Sequence, residues 1–321
     1  MKKRLLAMLM TGAMVASLAA CGGGSSTPAD DTQKDGGNKA STTSGCSVDV
    51  ILKTTASEYW SYVKAGAEAY SKDNPDVKVE VKGATSETAY DEQQNMIETD
   101  LNSGAYDAFV IAPLQADLVK TLIAGQTAPI VAVDTNIDAP EVLSFVGTGN
   151  EDAAAEGGKA AVEAAKAAGW DKVQAIAISG VQGDGTATAR LTGYEKGVTE
   201  AGGEFLKDEI QYADAVADKA ATSMEAIMQN HPEGVAIIVC NNDDMALGAI
   251  NALVNAGYNL PGGEGCTVIP VFGVDATDAA KELIANKQMT GSIKQDAEGM
   301  ADAVATITAN LIAGKDKFEG L

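Results

Sequence analysis

The sequence predicts an α/β fold made of two parallel-sheet lobes, and three observations carry this prediction. Apolar strand-like runs alternate with Ala-rich helical segments from about residue 47 to the end of the chain. Such alternation is typical of parallel sheets with helices on both faces. A polar break at Gly147–Asn150 (GTGN) divides the series, and the strand–helix order before the break recurs after it. We therefore expect two Rossmann-like lobes that face each other across a cleft.

The N-terminal residues have the pattern of an export signal. A basic start (KKR) precedes an apolar run that is too short to span a membrane comfortably and that ends in small residues before Cys21. The tetrapeptide LAAC resembles a bacterial lipobox, so residues 1–20 are predicted to be a lipoprotein signal peptide and Cys21 the lipidated residue. An ordinary signal followed by a chance cysteine is the alternative. Residues 21–46 contain almost nothing apolar and are predicted to form a flexible linker.

The first half of the body contains five strand-like runs, rich in the Val, Ile and Ala residues that suit buried parallel strands. They are VDVILKT, VKVEVKG, AFVIAP, APIVAVD and VLSFVG. Helical periodicity between the first four runs predicts helices at Trp60–Asn74, Tyr90–Ser103 and Ala116–Ala124.

The second half repeats the pattern with four strand-like runs: KVQAIAIS, GVAIIVCN, TVIPVFGVD and MTGSIKQ. Helices are predicted at Asp152–Ala168, Thr188–Ala201, Asp218–Gln229, Met245–Ala256, Ala276–Asn286 and Glu298–Ala313. The last helix is assigned to the first lobe. The predicted lobes are 47–148 plus 296–321 and 149–295, with chain crossings near Gly147–Asn150, Asp275–Thr277 and Gln295–Ala297.

Composition narrows the function classes. The chain has 45 acidic and 23 basic residues, whereas a nucleic-acid partner requires a basic surface. Its four cysteines include no C-x-x-C pair and there is a single histidine, so no metal site, no disulfide framework and no Ser-His-Asp triad is predicted. Acidic pairs are numerous, and their spacing leaves a glycosidase carboxylate pair open.

Several segments together resemble the ribose/galactose-type periplasmic sugar-binding proteins of ABC transporters. They are YWSYVKAGAEAY, DAFVIAP, PIVAVDTN, TARLTGYEKGV, CNNDDMALGAINAL, VFGVDAT and SIKQD, in the order and spacing of that family, from Val48 to about Gly314. The resemblance implies the type I periplasmic-binding-protein fold, in which a three-crossing hinge joins the lobes. Repressors of the same ancestry begin with a DNA-binding segment, whereas this chain begins with an export signal.

The resemblance also implies a set of ligand-binding residues. Two aromatic side chains would stack on a sugar ring, two carboxylates would bind ring hydroxyls, and an arginine and two amides would complete the site: Tyr59, Trp60, Asp134, Asp275, Arg190, Asn242 and Gln295. Asp243 is expected to cap the following helix. The chain departs from the ribose binders at Thr135, where they carry an arginine, and at Ser57 and Glu58, where they often carry Asn and Pro.

The favoured interpretation is an extracytoplasmic substrate-binding lipoprotein, anchored to the cell membrane through Cys21. It would capture a neutral sugar or polyol by hinge closure and deliver it to an ABC permease, as a monomer, without cofactor, metal or catalysis. One alternative is a sensor that presents a sugar-like or furanose signal to a receptor without transport. A second is an exported glycoside-acting enzyme.

Overall fold

The structure is a computed structural model that describes residues 45–321. The predicted signal peptide, the predicted lipidation site Cys21 and the predicted linker as far as residue 44 lie outside the described residues. Within 45–321, none of the helices combines the length and the apolar character needed to cross a membrane.

The first lobe contains a five-stranded parallel sheet in the order β2-β1-β3-β4-β5. Its strands are β1 (Cys46–Thr54), β2 (Val77–Ala84), β3 (Ala108–Ile111), β4 (Ile130–Val133) and β5 (Val142–Val146). Its helices are α1 (Glu58–Asp73), α2 (Tyr90–Ser103), α3 (Ala116–Leu122) and α9 (Ala297–Ile312). Strands β3 and β4 are buried throughout, since α1 and α9 pack on one face of the sheet and α2 and α3 on the other.

The second lobe contains a sheet in the order β11-β10-β9-β6-β7, and β8 also pairs with β6. Its strands are β6 (Gln174–Ser179), β7 (Glu204–Phe205), β8 (Gln211–Tyr212), β9 (Ile237–Cys240), β10 (Val271–Asp275) and β11 (Gly291–Lys294). Its helices are α4 (Asn150–Ala167), α5 (Gly185–Glu200), α6 (Ala217–Asn230), α7 (Asp243–Asn255) and α8 (Asp278–Ala285). The two-residue strands β7 and β8 were not among the predicted runs, because pairs of residues this short leave no periodicity.

Helices α4 and α5 approach each other unusually closely because their contact consists of small residues. A Cβ atom at Gly197 would lie 1.9 Å from the carbonyl oxygen of Ala155, and one at Gly193 would lie 2.1 Å from that of Glu151. Neither position accepts a larger residue without moving a helix backbone. This close packing fixes where α5 presents its side chains at the edge of the sheet.

The described residues pass between the lobes twice, at Gly147–Gly149 after β5 and at Gln295–Asp296 after β11. The predicted crossing at Asp275–Thr277 is wrong. Strands β10 and β11 are neighbours in one sheet, and helix α8 between them packs against α7 and β11 of the same lobe. The polar residues there resemble a hinge, but they form the turn into α8.

Candidate functional site

A cavity lies between the lobes, where the carboxyl ends of both sheets meet. In open parallel sheets, small-molecule sites lie at this edge. The structure brings all seven sequence-predicted ligand residues to the wall of this one cavity: Tyr59, Trp60, Asp134, Arg190, Asn242, Asp275 and Gln295.

The aromatic pair occupies the first turn of α1. Ser57 caps this helix by accepting a hydrogen bond from the backbone N–H of Trp60. The rings of Tyr59 and Trp60 lie edge to face with centroids 5.1 Å apart, and both are at most 5% exposed. The indole Nε1 donates to Glu87 at 3.2 Å. The pair therefore belongs both to the core of the first lobe and to the cavity wall.

Both predicted carboxylates stand on unusual backbone. Asp134 follows β4 with a φ of 63°, and Asp275 ends β10 with a φ of 120°. Non-glycine residues with positive φ carry a conformational cost and tend to occur at functional sites. At both residues the backbone turns away from the strand, and the carboxylate lies at the wall of the cavity.

Lys53, at the carboxyl end of β1, was missed by the sequence analysis. It is 2% exposed, and its Nζ lies 3.4 Å from Asp134 in its own lobe and 2.8 Å from Asp184 in the other. Asp184 is also the N-cap of α5, where it accepts the backbone N–H of Ala187. Burial alone would lower the pKa of Lys53, but the two carboxylates more than compensate and raise it. The sequence signal that could have identified Lys53 is its charge directly after the apolar run of β1, near the carboxyl end of the strand.

Arg190 extends from α5 and is held by two acceptors. Its Nε donates to Asn150 Oδ1 at 2.8 Å, and its Nη1 donates to the backbone oxygen of Asn241 at 2.7 Å. Arg190 as a whole residue is 7% exposed. Because both bonds fix the plane of the guanidinium group, Arg190 is pre-oriented at the cavity wall rather than free to swing.

Asp275 is linked to the first crossing by a short chain of hydrogen bonds. Gln295 Nε2 donates to Asp275 Oδ1 at 2.7 Å, and Gln295 Oε1 accepts from the Thr148 hydroxyl at 2.7 Å. Burial raises the pKa of Asp275 well above its ordinary value, and the nearby Arg190 offsets this only partly. Both crossings therefore meet at a side chain of the cavity.

The opening of α7 differs from the expectation. Asn242, not Asp243, is the N-cap: its Oδ1 accepts from Met245 N at 2.9 Å, while its Nδ2 donates to Ala215 O at 3.2 Å. Asp243 instead accepts from the backbone of Thr277 and from the Ser292 hydroxyl, and so ties α7 to β11. The expected cap at Asp243 is wrong because α7 begins at Asp243 itself, one residue earlier than a cap there requires.

The lobes also touch at the rim of the cleft. The Glu58 carboxylate of α1 accepts the backbone N–H of Asp278, at the N-terminus of α8, at 3.1 Å. The Tyr62 hydroxyl approaches the same N–H at 3.0 Å. Together with the Lys53–Asp184 pair, these contacts link the two lobes across the cleft. Among residues 45–321 no cluster of three or more His, Cys, Asp or Glu side chains could hold a metal ion.

Comparison with known proteins identifies relatives of this chain. The sequence profile described as periplasmic binding protein domain matches residues 48–316. The D-ribose/D-allose-binding protein of Pseudomonas aeruginosa is 27% identical over 83% of this chain and 82% of its own length. The D-allose-binding periplasmic protein of Escherichia coli is 28% identical over 77% of this chain and 78% of its own.

Among solved structures, a carbohydrate transporter solute-binding protein from Agrobacterium radiobacter, in complex with D-arabinose, superposes with a TM-score of 0.75. It is 24% identical, and the match covers 84% of this chain and 89% of the other. The two proteins share their fold, which confirms the type I architecture expected from the sequence. The profile covers most of the chain. This chain therefore belongs to the periplasmic binding protein family.

Proposed function

We propose that the protein is an extracytoplasmic substrate-binding protein that captures a neutral sugar or polyol and delivers it to an ABC import permease. The observation that carries this proposal is the convergence of aromatic rings, carboxylates, an arginine and amides on one cavity between two lobes. Aromatic rings pack on the C–H face of a sugar, and planar polar groups match its hydroxyls. The relatives named for ribose and allose support the same substrate class.

Capture follows from the division of the site between the lobes. Tyr59, Trp60 and Asp134 would hold the ligand from the first lobe, and Arg190, Asn242 and Asp275 from the second, with Gln295 at a crossing. A ligand that contacts both lobes stabilises only the closed arrangement and so shifts the population toward it. A membrane permease would then recognise the closed shape.

The charges around the cavity favour a neutral ligand. Lys53 is balanced by Asp134 and Asp184, with which it forms ion pairs. Arg190 likewise has the carboxylates of Asp275 and Asp134 nearby, and they raise its pKa against the opposing effect of burial. A sugar phosphate or sugar acid would add negative charge to a buried site that already contains four carboxylates.

The remaining parts of the proposal concern the cellular setting. A lipid on Cys21 would tie the protein to the membrane surface, and the linker would let the lobes reach the permease. The protein would act as a monomer. It would do no chemistry on its ligand.

The test is ligand-dependent stability of the mature protein against ribose, allose, arabinose, inositols and xylitol, with sugar acids and a sugar phosphate as charged controls. A ligand at a hundred times its dissociation constant raises the free energy of unfolding by about 2.7 kcal/mol, which is visible as a shift in Tm. A neutral sugar or polyol that shifts Tm supports the proposal, and Asp275→Asn or Arg190→Ala should reduce that shift. A response to charged controls alone contradicts it.

Transport and sensing would use the same cavity, so a second experiment separates them. Uptake of the radiolabelled ligand is measured in cells with and without the gene. Loss of uptake on deletion supports delivery to a permease, whereas unchanged uptake with a lost transcriptional response favours the sensor.

A further inference from the structure

Two polar atoms in the cavity wall are buried without any hydrogen-bond partner. They are the hydroxyl of Tyr59 in the first lobe and Oδ1 of Asn241 in the second. Their residues are 5% and 2% exposed. Buried polar groups in folded proteins are nearly always paired, so an unpaired group on a cavity wall indicates a missing partner.

The orientation of the Asn241 amide follows from chemistry. Its Nδ2 donates to the carbonyl oxygen of Ala187 at 2.9 Å. The flipped amide would place two acceptors against each other, so Oδ1 must be the free atom. The backbone oxygen of Asn241 is also fixed, because Arg190 Nη1 donates to it. Asn241 therefore presents a rigid acceptor, whereas both polar atoms of its neighbour Asn242 are already bonded within the protein.

The other unpaired atoms among residues 45–321 have different surroundings. Both Asp49 oxygens lie in the first lobe away from the cavity, and Oδ1 is 3.1 Å from the ammonium of Lys82. Ser179 Oγ lies at the end of β6 and does not line the cavity. Within residues 45–321, only Tyr59 and Asn241 combine an unpaired atom with a position on the cavity wall.

Several donors already present in the cavity are committed. Lys53 donates to Asp184 and Thr186, and the Trp60 indole donates to Glu87. The remaining capacity consists of acceptors, the carboxylates and Asn241 Oδ1, and of the Arg190 N–H groups that are not bonded to Asn150 or Asn241. A complementary ligand must bring hydrogen-bond donors.

We infer that Asn241 and the Tyr59 hydroxyl are specificity-determining contacts that select a donor-rich ligand, a polyol with free hydroxyls, over its deoxy and O-methyl analogues. This inference rests on the proposed function and names two contacts within it. Asn241 accepts from one ligand hydroxyl, and Tyr59 pairs with another from the opposite lobe. Because the two contacts lie on different lobes, a ligand that makes both also bridges the cleft.

Tyr59→Phe is the sharpest variant because it removes only the hydroxyl. Without ligand, the variant loses an unpaired buried group, so its Tm should equal or exceed that of the wild type. With ligand, its affinity should fall about 5- to 150-fold, since leaving a buried partner unpaired costs about 1–3 kcal/mol. A merely structural hydroxyl would give the opposite result: a lower Tm without ligand and unchanged affinity.

Asn241→Ala is the second variant, and Ser179→Ala is the matched control in the same lobe. Affinities of the mature protein are measured by calorimetry for D-ribose, D-allose, myo-inositol and their monodeoxy and mono-O-methyl analogues. For the probe that binds tightest, at least one analogue should bind the wild type about 5- to 150-fold more weakly than the probe does. In Asn241→Ala or Tyr59→Phe, the difference in affinity between the probe and that analogue should be much smaller. Ser179→Ala should bind like the wild type.

The outcomes separate this inference from the proposed function. A wild type that binds a neutral probe, with Tyr59→Phe and Asn241→Ala binding it equally well, overturns this inference alone. A wild type that binds none of the neutral probes, or prefers D-gluconate, contradicts the proposed function and this inference with it.

Discussion

Replacement of Lys53 by methionine is the perturbation with the largest expected effect on closure. Methionine has a similar volume, so the change removes the charge with little loss of packing. In the closed arrangement it leaves Asp134 and Asp184, which lie 3.4 and 2.8 Å from Nζ, without their shared cation. Removing one partner of a buried ion pair costs about 3–5 kcal/mol.

Most of this cost falls on the closed form, because opening the lobes lets water reach both carboxylates. At about 1.4 kcal/mol per tenfold change, the affinity for the best sugar should fall at least about a hundredfold. The Tm of the ligand-free protein should fall less than that of the complex. Calorimetric titration measures the affinity, and thermal unfolding with and without sugar measures both Tm values.

The matched control is Lys53→Met combined with Asp184→Asn. Asparagine caps a helix as well as aspartate does, so α5 keeps its N-cap while one unpaired charge is removed. The double variant should bind more tightly than Lys53→Met alone. The reasoning is refuted if Lys53→Met binds within threefold of the wild type, or if the second substitution weakens binding further.

Three further results are expected. Glu58→Ala removes the α1 carboxylate that accepts the backbone N–H at the N-terminus of α8, and it should raise the dissociation constant about 2- to 30-fold. Glu68→Ala, which is also on α1, should leave the dissociation constant unchanged. Calorimetry measures both values. Burial raises the pKa of Asp49 to about 7 in the folded protein, compared with about 4 in the unfolded chain. The protonated Asp49 side chain therefore contributes its full stabilisation below about pH 4, and this contribution is lost as the pH rises through about 7. The unfolding free energy of the ligand-free protein should therefore fall as the pH rises from about 4 to above 7. Chemical denaturation of Asp49→Asn at a series of pH values should show a shallower fall, and an unchanged slope rejects this role. Gly197→Ala should destabilise by about 3 kcal/mol through its clash with Ala155. Gly185→Ala, at the first position of the same helix and with its nearest neighbouring atom 3.8 Å away, should stay within about 0.5 kcal/mol. Equal melting temperatures would contradict the packing argument.

The fold was predictable because its signals are local and repeated. All nine predicted helices and nine strand runs occur in the described part of the chain, and the bounds of α2 agree to the residue. The missed elements β7 and β8 are set by pairing with β6 and not by their own composition. The crossing predicted at Asp275–Thr277 failed because a polar turn into a helix and a hinge have the same composition.

The candidate site was predictable in part. Residues at the carboxyl ends of strands, such as Asp134 and Asp275, meet wherever parallel strands share an edge, and the structure brings them to one cavity. Their role in binding stays a prediction. The Lys53–Asp184 pair joins residues 131 positions apart and depends on how the lobes face each other. Likewise, the distinction between Asn241 and Asn242 depends on which amide the local backbone already uses.

The central claim is that the cavity between the lobes holds a neutral polyol. The most direct test is a crystal structure of the mature protein with the sugar or polyol that raises its Tm most. We expect one molecule between the lobes, stacked against the aromatic pair, with hydroxyls on Asp134 and Asp275 and a donor on Asn241 Oδ1. A ligand bound elsewhere, or one that leaves both carboxylates without a contact, would contradict the account.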